Sequence, residues 1–180
     1  MSCRLFAVVA FATLVAAGPA RAADPENTLY MDLPYGRVVI ELRPDLAPKH
    51  VARIKELVRQ HFYDGTPFHR VIGGFMAQGG DPTGTGTGGS GKTLPAEFSS
   101  AHHVRGTASM ARASDPNSAD SQFFICFAPV PDLDGQYTIW GQVVQGMEFV
   151  DRIKKGDEPN GLVDHPDRIV KMQVAADVKE

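Results

Sequence analysis

Apolar and polar positions along this chain alternate in short bursts. Residues 28–33 and 37–42 flank Pro34-Tyr35-Gly36, whose glycine is free to take a positive φ. A hairpin of two antiparallel strands is predicted there. The period changes over residues 47–60, where Val51, Ile54, Leu57 and Val58 recur at helical spacing and Lys49, Arg53, Lys55, Glu56 and Arg59 take the other side. That is an amphipathic helix packed on a sheet. Short strands follow around Arg70 and Phe75, then over residues 106–111, 122–127 and 138–144. Met147, Val150 and Ile153 recur in steps of three before Lys154-Lys155, which predicts a second short helix with cations at its carbonyl end. Over residues 168–178, Ile169, Lys171 and Gln173 alternate with Val170, Met172 and Val174, a closing strand. Many short strands with two helices predict a mainly β protein: a closed antiparallel barrel with a helix at each end.

One segment stands apart. Phe68, Val71, Ile72, Phe75 and Met76 suit strands or a core, and Gly73-Gly74 and Gly79-Gly80 bend the backbone between them, yet Arg70 sits in their midst. A guanidinium is ionised at any ordinary pH, so it orients, pairs or polarises but does not exchange protons. A second apolar run, Phe123-Phe124-Ile125-Cys126, reads as a buried strand on which Cys126 shares a face with Phe124.

Composition narrows the class. Residues 5–17 form an uncharged apolar run after Arg4, Gly18-Pro19 ends it, and Ala20-Arg21-Ala22 offers small residues where a signal peptidase reads. Residues 1–22 are expected to be a secretory signal with cleavage before Ala23, because the run falls short of the roughly 20 residues needed to span a bilayer. Residues 23–180 then form one domain, without a membrane segment, and are expected to act in the periplasm or the medium. Loss of Arg4 and Arg21 takes the net charge from −3 to −5. An acidic chain without a basic patch lacks the footprint that nucleic acid requires. Cys126 remains alone once Cys3 leaves, so no internal disulfide can form.

Other chemistry falls away on inspection. Residues 86–93, Gly-Thr-Gly-Gly-Ser-Gly-Lys-Thr, fit the phosphate-cradling pattern, but no strand precedes them and no helix follows. The six histidines show no metal-ligand spacing, and adjacent His102 and His103 would face opposite ways if extended. Ser109 and Ser121 lack a nucleophile-elbow context. No metal and no cofactor are expected.

Several motifs, in order, do resemble a known family. Phe68-His69-Arg70, Gly74-Phe75-Met76 with Gln78-Gly79-Gly80-Asp81, Ser109-Met110-Ala111, the Ser121 to Cys126 run and Leu133-Asp134-Gly135 resemble the cyclophilin family of peptidyl-prolyl isomerases, over about residues 28–174. The resemblance implies an eight-stranded barrel and catalysed rotation of Xaa-Pro bonds in proline-containing polypeptides, here exported ones during folding. It implies that Arg70 is catalytic and that Phe75, Met76, Phe124 and Leu133 make the proline pocket, with Tyr137 lining it. It further implies that Gln78, the Ala111 region and the main chain at Arg112 hold the peptide. A proline-recognising holdase with negligible turnover, on the same barrel, is the competing reading. Asp132 stands where many members have tryptophan and Tyr137 where many have histidine, so cyclosporin binding is expected to be weak. The protein is expected to be a monomer.

Overall fold

The structure is a computed structural model that describes residues 24–179, so the expected signal segment lies outside the described residues. The hairpin forms as the alternation requires: β1 (Thr28–Leu33) pairs with β2 (Gly36–Leu42), and every second residue of β2 is buried from Val38 on. α1 (Pro48–Arg59) buries Val51, Ile54, Leu57 and Val58, together with His50. Its first turn is capped from a distance, since Ala47 has no side chain that could accept. The Glu97 carboxylate instead takes the N–H groups of Lys49 and His50, at 3.1 and 3.0 Å.

Next come β3 (Arg70–Ile72), β4 (Met76–Gly79), β5 (Thr107–Met110), β6 (Phe123–Cys126), β7 (Ile139–Gln145), the single-turn helix α2 (Met147–Val150) and β8 (Lys171–Val174). They make one antiparallel sheet in the order β3-β4-β6-β5-β7-β2-β1-β8. The ladder has two ends, β3 and β8, which do not pair with each other. Between them only the preceding loops meet: Pro67 bridges Arg168, Phe68 N–H reaches Asp167 O at 2.9 Å and Ile169 N–H reaches Thr66 O at 3.0 Å. The sheet is thus curled and open, where a closed barrel was expected.

The last strand is shorter than its alternation suggested. Ile169 is fully buried and Val170 is 59 % exposed, so the period of two breaks ahead of β8, where Met172 and Val174 point inward. Gly65 N–H donates to Ile169 O at 2.8 Å, which fixes Ile169 to the loop bridge rather than to the strand.

The sheet has two apolar faces. Inside the curl, Met31, Ile40, Phe68, Val71, Ala77, Phe123, Ile125 and Trp140 belong to the main core, which α1 covers. Met76, Phe124 and Cys126 form a separate cluster on the outer face, with Ile72, Phe75, Ala111, Val130, Leu133 and Tyr137 packed on it. Strands β4 and β6 therefore carry apolar residues at successive positions because both of their faces are covered.

Candidate active site

The outer face is organised by strand register. Arg70 lies opposite Gln78 across β3 and β4, Gln78 opposite Phe124 across β4 and β6, and Phe124 opposite Ser109 across β6 and β5. Residues directly opposite in a sheet share a face, so a cation, an amide and a phenyl ring stand in one row. A second row, Ile72, Met76 and Cys126, runs beside it. Gly74 takes φ 73°, a conformation open to glycine, and the turn it makes sets Phe75 at the edge of the two rows.

Arg70, Phe75, Met76, Gln78, Ala111, Arg112, Phe124, Leu133 and Tyr137 together line one cleft of about 130 Å³. All nine sequence-derived candidates meet there. The cleft is smaller than the roughly 300–1,000 Å³ of cofactor pockets, and suits one small ring. Tyr137 meets Phe124 edge-on at 5.8 Å. Arg112 lies over the Tyr137 ring at 4.6 Å and donates to the carbonyls of Gln136, Ala113 and Ser114, so its side chain ties two loops together beside the cleft.

Arg70 is held but not consumed. Its Nε donates to Asn160 O at 3.1 Å and its Nη1 to Gln78 Oε1 at 3.2 Å. Among the described residues no carboxylate pairs with it and Nη2 carries no hydrogen bond. Gln78 Nε2 donates in turn to Gln122 Oε1 at 2.9 Å, and Gln122 Nε2 to the carbonyls of Gly86 and Gly88. Gln122 was absent from the sequence-derived site. It stands one residue ahead of β6, and its spacing of two from Phe124 within the apolar run of residues 122–127 was the available signal.

The phosphate-like loop is spoken for by carboxylates. Gly86 N–H and Gly88 N–H donate to Asp81, and Ser90 N–H and Gly91 N–H to Asp120. Burial raises the pKa of Asp81, but the Thr83 hydroxyl and the N–H groups of Thr83, Gly88 and Gly86 outweigh it and bring the value to about 2. The amides a phosphate would need are thus already occupied. Among the described residues no group of three or more His, Cys, Asp or Glu side chains could hold a metal ion.

His102 and His103 would face opposite ways only in an extended strand; the chain here is not one, and both Nδ1 atoms reach the Asp134 carboxylate, at 2.6 and 3.0 Å. His103 Nε2 also lies 3.0 Å from Ser109 Oγ, a contact that no sequence motif signals. Cys126 is fully buried and its thiol is pushed up to about 12, chiefly by burial, so it stays protonated.

Comparison with known proteins decides the assignment. Residues 28–174 match the family model "Cyclophilin type peptidyl-prolyl cis-trans isomerase/CLD". The chain belongs to the cyclophilin-type peptidyl-prolyl cis-trans isomerases. A probable peptidyl-prolyl cis-trans isomerase of Brucella suis biovar 1 (strain 1330) is 57 % identical, over 89 % of this chain and 88 % of the relative. Peptidyl-prolyl cis-trans isomerase B of Bacillus subtilis (strain 168) is 45 % identical, over 67 % and 85 %. Among solved structures, a Cryptosporidium parvum cyclophilin studied in the presence of the dipeptide Ala-Pro shares 33 % identity at a TM-score of 0.74, covering 82 % of this chain and 98 % of that one. A cyclophilin from Hirschia baltica gives a TM-score of 0.78 at 29 % identity, covering 88 % and 77 %. The chain is accordingly an isomerase of the cyclophilin type.

Proposed function

We propose that the cleft binds the proline of an Xaa-Pro bond and that Arg70 stabilises the bond midway through rotation. The barrier to rotation, about 18–20 kcal/mol, comes from amide resonance. As the bond twists, the prolyl nitrogen regains a lone pair and becomes a hydrogen-bond acceptor, which the planar amide nitrogen is not. A guanidinium that reaches that nitrogen binds the twisted state in preference to either planar state, which is the condition for catalysis. Such a bond contributes about 1.5–3 kcal/mol, or roughly ten- to a hundredfold in rate. Phe75, Met76, Phe124 and Leu133 supply the apolar walls for the ring, with Tyr137 lining the pocket, and exclude water that would weaken the arginine's field. Gln78, the Ala111 region and the main chain at Arg112 hold the peptide, so that the bond turns against a fixed frame.

The observation that carries this reading is the side-by-side placement of a ring-sized cleft and an arginine that pairs with no carboxylate among the described residues. An NMR exchange assay on a short Xaa-Pro peptide, comparing wild type with Arg70→Ala, tests it. Turnover should fall by about ten- to a hundredfold; equal rates would sink the role of Arg70 and favour a proline-binding holdase.

The physiological substrates in this reading are proline-containing polypeptides folding after export, met in the periplasm by a monomer released from its signal at Ala23. The support is the charged start, apolar run and small-residue cut of residues 1–22. N-terminal sequencing of the protein from a periplasmic fraction should begin at Ala23, and a cytoplasmic chain that keeps Met1 would overturn it.

A further inference from the structure

His103, Asp134 and Ser109 stand in the order of a nucleophilic triad, 3.0 Å apart at each step. They cannot work as one, because Ser109 is fully buried and lines no part of the cleft. What the imidazole touches instead is the back of the pocket. Its ring is stacked against Phe124, with centroids 6.1 Å apart and planes 17° from parallel. Its Nδ1 and its own main-chain N–H, at 3.0 and 2.7 Å, both meet Oδ1 of Asp134, the residue after Leu133. Its Nε2 meets Ser109 Oγ, which also lies 3.0 Å from the carbonyl of Thr138, the residue after Tyr137. β6, which carries Phe124, and the stretch that carries Leu133 and Tyr137 thus converge on one buried ring.

We propose that His103 is a positioning residue for isomerisation: clamped between Asp134 and Ser109, its imidazole holds Phe124, Leu133 and Tyr137 at the spacing that admits a proline ring. The proposal rests on the reading of the cleft as the proline pocket.

Proton placement makes the clamp specific. Hydrogen bonds from the His102 ring and from His103 hold Asp134 at a pKa of about 2, so its carboxylate only accepts and Nδ1 of His103 must carry a hydrogen. Burial holds the His103 imidazole below its usual value against the pull of Asp134, so Nε2 carries no hydrogen at neutral pH and competes with the carbonyl of Thr138 for the single hydroxyl hydrogen of Ser109. The tautomer is thus fixed from the Asp134 end.

The test compares kcat/KM and melting temperature for His103→Ala, His103→Gln, Phe124→Ala and His50→Ala. His50 is the control: it is equally buried and paired with a carboxylate, Glu97, but lies outside the cleft. His103→Ala should lower kcat/KM about tenfold, in line with roughly a hundredfold for a 1 Å misplacement. His103→Gln, whose amide can still donate to Asp134, should restore most of that loss. His50→Ala should lower the melting temperature while kcat/KM stays within about twofold of wild type. If His103→Ala does not fold, Asp134→Asn takes its place and should lower kcat/KM severalfold. Wild-type turnover in His103→Ala or Asp134→Asn alongside loss in Phe124→Ala would overturn the clamp and leave the pocket standing. Wild-type turnover in Phe124→Ala would overturn the pocket itself.

Discussion

Arg70 Nη1 donates to Gln78 Oε1, and the direction of that bond is fixed two residues away. The carbonyls of Gly86 and Gly88 can only accept, so Gln122 must turn its amino group to them and its oxygen to Gln78. Gln78 must then meet that oxygen with its own amino group, which leaves Oε1 facing the guanidinium. Gln78→Ala removes the hold on one arm of Arg70. Its expected effect is about a tenfold drop in kcat/KM, read by NMR exchange on an Xaa-Pro peptide. Gln78→Glu should also slow turnover, because a carboxylate at that place pairs with the guanidinium and competes with the substrate.

The residues that line the cleft include no histidine, cysteine or carboxylate. Its charged groups are the guanidiniums of Arg70 and Arg112, and the buried His103 behind Phe124 is held below the usual histidine value by burial. Turnover is therefore expected to vary little from pH 6 to pH 8. A steep bell in kcat/KM over that window would mean that a histidine or carboxylate takes part in the chemical step.

Acid is where the fold should give way. Asp81 has a folded-state pKa of about 2, below the carboxylate's usual value of about 3.9. The stabilisation it brings is full above about pH 4 and is lost as pH falls from there through 2. Asp81→Ala removes the acceptor of three loop N–H groups, those of Thr83, Gly86 and Gly88. A loss of about 3 kcal/mol at neutral pH is expected, or roughly 6–12 °C in Tm by calorimetry. The variant should also lose less stability than wild type between pH 4 and pH 2.

Asp132 is exposed at the start of the turn that carries Leu133. With a carboxylate there in place of the family's indole, cyclosporin should inhibit only at high concentration while peptide turnover persists. Asp132→Trp should tighten inhibition. Nanomolar inhibition of the unaltered protein would remove Asp132 from the explanation.

The cleft was legible in the sequence to the extent that its members lie on strands or carry the family's motifs. Period-two alternation puts Phe124 with Cys126 and Arg70 with Ile72, and the structure keeps both pairs on one face. What could not be read was contact between distant loops. Glu97 caps a helix some fifty positions earlier, and Asp134 gathers two histidines about thirty positions before it. No local pattern encodes such pairs. The open sheet was missed for a related reason: closure depends on whether β3 and β8 meet, and only the residues ahead of them, 66–68 and 167–169, do. Val170 misled because its alternation is sound in sequence, while Ile169 is claimed by Gly65.

β6 faces two ways, with Phe123 and Ile125 in the main core and Phe124 and Cys126 in the outer cluster. Neighbouring letters of one tetrapeptide thus answer to separate demands. Odd positions pack the main core, whereas Phe124 lines the cleft that the proposal assigns to the prolyl ring, so on that reading repertoire can drift while endurance holds.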